Sequence, residues 1–65
     1  GELELAIAAL YGALKYHPDY PDVHYHLART LDELGQRDKA IDHWRAFLIL
    51  SPDSPWAQQA RDRLL

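Results

Sequence analysis

A pattern recurs in this chain at a spacing of 34 residues. Ala6, Ile7, Leu14, Pro18, Asp19 and Pro21 return in register as Ala40, Ile41, Leu48, Pro52, Asp53 and Pro55. A fixed period of this size marks stacked helix–turn–helix units. Each unit is too small to bury its apolar face alone and does so against its neighbours. Such scaffolds usually present a surface rather than a reaction centre.

The periodicity within each unit is helical. Residues 2–16 are rich in Ala, Leu and Glu, with Leu3, Ile7, Leu10 and Leu14 at helical spacing. Leu5, Ala6, Ala8, Ala9, Tyr11 and Ala13 make this first helix apolar nearly all round, so it expects neighbours on more than one side. His17-Pro18-Asp19-Tyr20-Pro21 breaks it, because proline cannot continue the ladder and disfavours helix in the residue before it. A second helix is expected from about Asp22 to Leu34, closed by Gly35 in the left-handed region. A third, about Asp38 to Leu50, places Ala40, Ile41, Trp44, Phe47 and Leu48 on one broad face. Ser54-Pro55 reads as an N-cap followed by proline at the first position of a short last helix through Leu64. No strand signal, low-complexity tract or internal linker interrupts this order. The expectation is an all-α fold of four antiparallel helices with short turns.

Composition limits what such a fold can do. Sixty-five residues make one domain at most, and a core this small rarely supplies more than about 3–5 kcal/mol. There is no cysteine, so neither a disulfide nor a thiolate zinc site can staple it. The net charge of −3, with interspersed signs and no basic stripe, argues against direct nucleic-acid binding. Protonating all four histidines would move that charge to about +1 near pH 5. No apolar run is long enough to cross a bilayer and no leader is recognisable, so a cytoplasmic, non-membrane domain is expected. Opening on Gly1 rather than Met, it reads as a piece of something longer.

The register of small residues, aromatic and proline resembles the tetratricopeptide repeat. The corresponding positions are His24, Leu27, Ala28, Leu31, Ala40, Trp44 and Pro52. His24 stands where the family has tryptophan, Ala28 where it has glycine and Leu31 where it has tyrosine. Trp44 and Phe47 are expected to fill the space those changes vacate. The resemblance implies an α-solenoid over residues 1–65, with a half repeat at 2–20, a full repeat at 21–54 and a closing helix at 55–65. It also implies a non-catalytic interaction or self-association scaffold without cofactor, whose partner is a protein or peptide or a second copy. A weaker likeness of Pro52-Asp53-Ser54-Pro55-Trp56-Ala57 and Arg61-Asp62-Arg63-Leu64 to the ends of short bacterial arrays gives the alternative: an accessory or dimerisation tail of a bacterial transcription regulator of the mercury-resistance type.

In that family the first helix of each repeat lines a concave groove for peptides. By position this implies Asp22, Tyr25, His26, Arg29, Asp32 and Glu33, extended by Trp56, Gln59 and Arg63 of the closing helix. Tyr and Arg suit recognition because each offers large contact area with a polar handle. The plain alternative is a solvated face, with Arg29–Glu33 an ordinary i,i+4 pair. The family's groove lysine and asparagine, which clamp a partner's terminal carboxylate, are replaced here by Tyr25 and Arg29 among acids. A basic or mixed-charge peptide fits that rim better. A second candidate surface is an apolar strip of Leu3, Leu5, Ile7, Leu10 and Tyr11 on the first helix, whose repeat partner is missing. Histidine chemistry is weak. His24 and His26 point to opposite sides of one helix, and His43 has Phe47 where a chelating partner would sit. No metal ligand set is expected. Nor is a catalytic pair, because Ser51 and Ser54 fit helix-end roles and no glycine-rich oxyanion loop exists.

Overall fold

The computed structural model describes residues 1–65 as four helices and no strand. They are α1 (Glu2–Tyr16), α2 (Pro21–Glu33), α3 (Arg37–Leu50) and α4 (Ala57–Arg63). The sequence period reappears as backbone geometry. α1 ends with the His17 amide donating to the Ala13 carbonyl at 2.9 Å, and α3 ends with Ser51 donating to Phe47 at 2.8 Å. Each end is followed by a second equivalent turn, Tyr20 to His17 at 3.2 Å and Ser54 to Ser51 at 3.3 Å. These four bonds form two pairs, the members of each one period apart.

The equivalence then stops. Pro21 occupies the first turn of α2, where its missing N–H costs nothing. Pro55 does not open α4. The Ser54 hydroxyl accepts the Trp56 amide at 3.1 Å in a local turn, and the helix begins only at Ala57. A side chain that offers the backbone a turn competes with helix, so the expected Ser54 cap becomes a turn and α4 starts later. The opposite outcome holds at Gly35. It takes φ 78° and donates to Asp32 O at 3.0 Å, while Gln36 donates to Leu31 O at 2.9 Å. These paired bonds satisfy the last carbonyls of α2 in a Schellman ending and reverse the chain into α3.

The core lies between α2 and α3. Leu27, Ala28 and Leu31 from one helix meet Ala40, Trp44 and Phe47 from the other, all essentially without solvent contact. Ala28 and Ala40 have no bulk, which lets the backbones approach. The indole and phenyl rings then fill the volume on either side, as expected for the residues standing in for the family's aromatics. Val23 and Tyr25 complete the α2 face, and Ala57 and Ala60 bring α4 against α3. On the other flank Ile7, Leu10, Ala13 and Leu14 of α1 pack at the edge of this cluster but are only partly covered. α1 has no fully buried residue, so Ala6 is exposed while its repeat equivalent Ala40 is sealed.

Candidate functional site

A depression lies between α2 and α4, on the side where the repeat pattern places its groove. Arg29, Asp32, Glu33, Gln59 and Arg63 line it, with Trp44 of α3 at its floor, around about 290 Å³ of open space. Residues 26, 29 and 33 share a helical face of α2, and Asp22 extends that face one turn earlier. All four side chains there are exposed. Residues 59 and 63 are one turn apart on α4, which docks through the opposite-facing Ala57 and Ala60. A similar volume, about 300 Å³, lies at the α2–α3 turn. Its lining is one continuous stretch, Gly35 to Lys39, with no apolar side chain and no facing wall from another helix.

Two residues expected as groove contacts are engaged within the fold, although Asp32 also lines the depression. Tyr25 is only 8% exposed and belongs to the core. Its ring packs edge-on to Trp44 at 5.7 Å and against Phe47 and Trp56 at 5.5 Å, and its hydroxyl donates to Gln59 Oε1 at 2.8 Å. A ring this large in a core of alanines and leucines is drawn inward by its area, and Gln59 satisfies its polar end. Trp56 is half-exposed over that ring and lies outside the depression. Asp32 is the second engaged residue. Its carboxylate accepts hydrogen bonds from Trp44 Nε1 and Arg63 Nε, each at 2.9 Å, and from Arg37 Nη1 at 3.1 Å. Arg37 also donates to the Arg63 main-chain carbonyl. Partial burial pushes the Asp32 carboxyl up. The bonds from Arg63, Trp44 and Arg37 outweigh that and hold it below its ordinary range. The same contact raises the Arg63 guanidinium.

The groove lining is balanced in charge, Arg29 and Arg63 against Asp32 and Glu33, and Asp32 is paired with Arg37 as well as Arg63. The ordinary Arg29–Glu33 pair is not formed. The ion pairs of the chain involve Gly1 with Glu4, and Asp32 with Arg37 and Arg63. Arg29 instead lies over the Tyr25 ring, 5.6 Å from its centroid. His26 meets the edge of the same ring at 5.5 Å. Arg29 and Glu33 thus make no side-chain hydrogen bond or ion pair within the chain.

The α1 strip divides in two. Leu5 is 72% exposed, with the partly covered Leu3 a half turn away, whereas Ile7 and Leu10 pack toward the core. Tyr11 is 41% exposed, but its hydroxyl is engaged with His43 Nε2 at 3.1 Å. His43 in turn faces His24, Nδ1 to Nδ1, at 3.0 Å, and His24 Nε2 donates to the Pro18 carbonyl at 2.9 Å. Reading the histidines one helix at a time missed this pairing. Its signal was partly available: the two lie on opposite sides of the Gly35 turn, 11 residues before it and 8 after it, within reach across an antiparallel hairpin.

A tetratricopeptide repeat family model matches residues 1–64. No curated protein and no solved structure matches the chain.

Proposed function

This chain belongs to the tetratricopeptide repeat family, and we propose that it is an interaction module whose α2–α4 groove takes up a peptide. Repeats of this family generally mediate protein–protein contact and are generally not catalysts. The observation that carries the reading is the convergence of Arg29, Glu33, Gln59 and Arg63 on one depression whose floor, Trp44 and Asp32, is already fixed. Arg63 is held by Asp32 and Gln59 by Tyr25, so little side-chain freedom is lost on binding. Cationic Arg29 and Arg63 beside anionic Glu33 suit a peptide of mixed charge. A non-catalytic role is part of the reading, in keeping with the family. No helix is long and apolar enough to cross a membrane, and action in the cytoplasm belongs to the same proposal.

Selection from a random peptide display library tests this. Wild-type chain is expected to enrich peptides whose affinity falls about 30-fold or more in Arg29→Glu, the loss of one central contact. Enriched peptides that bind Arg29→Glu as well as wild type, or no enrichment at all, would overturn the groove.

Self-association through α1 is a second reading, favoured by one observation: α3 is covered on both flanks, while its repeat equivalent α1 is covered on one. Because Ile7 packs inward and Leu3 shares its face, the surface to test is the outer one that carries Leu5. A concentration-dependent dimer in sedimentation, abolished by Leu5→Glu, supports it, and a wild-type monomer removes it. The regulator-tail alternative still rests on the Pro52–Ala57 run. A DNA-binding helix-turn-helix encoded directly upstream would promote it.

A further inference from the structure

The groove makes no use of the pair His24–His43, which joins the opposite flank. Pro18 O can only accept, so His24 Nε2 must donate to it across 2.9 Å. A neutral imidazole carries one N–H. His24 Nδ1 is therefore bare, and His43 Nδ1 must donate to it across 3.0 Å. That leaves His43 Nε2 bare, and Tyr11 Oη–H donates to it across 3.1 Å. In the neutral state every bond has one direction, from α1 through α3 and α2 to the α1–α2 turn.

One added proton is tolerated. Whichever ring takes it, a single proton stays between the two Nδ1 atoms, and the Tyr11 hydroxyl reverses to accept from His43 Nε2. A second added proton is not. Both Nδ1 atoms would then carry hydrogens facing each other across 3.0 Å, on two cations whose ring centroids are 5.3 Å apart. No rotation of Tyr11 relieves this, and because the sealed α2–α3 core holds both backbones, one ring must turn away and give up its bond to Tyr11 or to Pro18. The groups facing the pair are Tyr11 from α1, the Pro18 carbonyl from the turn, and Asp42 on α3, whose negative field helps the first proton. Neither histidine has a carboxylate in ion-pair contact to compensate two charges.

We propose that this pair is a proton-operated latch on α1: neutral or singly protonated it ties α1 to the hairpin, and the second proton releases it. Release bares Ile7, Leu10 and Leu14 together with the core edge they cover. α1 is the natural element to yield, since it alone contributes no fully buried residue. Burial of His43, then the charge of His24, push the His43 imidazole below its ordinary range against the pull of Asp42. A histidine lowered in the fold binds its proton more readily in the unlatched chain. Its contribution is therefore present above about pH 6.5 and is lost as pH falls below that.

The test is imidazole nitrogen NMR on the full chain from about pH 8 to about pH 4.5, with the α1 amides followed in the same samples. At the alkaline end His24 is expected as the Nε2–H tautomer and His43 as the Nδ1–H tautomer. The second ring titration should coincide with loss of the docked α1 signals. In His24→Gln, which keeps a donor for Pro18 and cannot charge, release should move at least about one pH unit lower. Two rings titrating independently while α1 stays docked would overturn the latch, as would the same tautomer on both, or unchanged release in His24→Gln. Should that variant fail to fold, the wild-type tautomers and the coincidence of titration with release decide alone.

Discussion

The α2–α3 hairpin carries one helix on each flank, and the two are held by different means. α1 has 15 residues and buries none completely, whereas α4 has 7 and seals Ala57 and Ala60 against the hairpin. Length does not decide which docks closely. α4 has a distinct small-residue face and an arginine that reaches the semi-buried Asp32. α1 is apolar nearly all round, so no single face outbids the others. Its fixed points are a half-covered row of leucine, isoleucine and alanine and the Tyr11–His43 bond. A flank locked by shape and charge beside a groove, and a flank held by area and neutral hydrogen bonds, suit a rigid binding edge and a releasable one.

The comparison can be broken most severely at the element both flanks share. Trp44→Ala removes a sealed indole and the Asp32 donor. Its expected cost, about 3–5 kcal/mol, matches what a core of this size supplies. Circular dichroism should show no cooperative melting, and a variant melting within a few degrees of wild type would deny the hairpin its role as common support. Next in size is Asp32→Ala, which strips the acceptor from Trp44, Arg37 and Arg63. Because both arginines are substantially exposed, about 1–2 kcal/mol is expected, with α4 losing amide protection and α1 unaffected. The carboxyl is lowered in the fold, so its contribution exists above about pH 4 and disappears as pH falls further. Wild type should weaken on acidification below that point more steeply than the variant.

Gly35→Ala is expected to cost about 1–2 kcal/mol, all of it backbone strain, because an added Cβ meets no atom within 4 Å. It acts on the turn between the helices, so denaturant unfolding should show both flanks weakened alike. Leu10→Ala should cost about 1 kcal/mol, less than a sealed leucine, with hydrogen exchange rising in α1 only. Smallest is Leu5→Glu on the outer face, within about 0.5 kcal/mol of wild type in thermal melting.

Much of this was legible in the residues. The 34-residue register locates both helix ends that follow it, Gly35 marks the reversal, and the helical phase of Trp44 and Phe47 puts them in the core. The surface was read less well, for identifiable reasons. Tyr25 and Asp32 occupy groove-facing positions by count. But a tyrosine near a helix crossing buries its ring, and a carboxylate near an indole N–H and two arginines becomes a structural acceptor. Ser54-Pro55 carries a sound helix-start signal that a hydroxyl turn overrides. His24 and His43 look inert in a linear reading, because what joins them is contact across the hairpin and not a spacing along one helix.

Native-state hydrogen exchange, resolved residue by residue at neutral pH, tests the arrangement most directly. Amides in the middle of α2 and α3 should open only with global unfolding, and those of α1 should open first, at a clearly lower free energy. Uniform protection from α1 through α3, or an α1 that outlasts the hairpin, would contradict a fold built on one hairpin with a releasable flank.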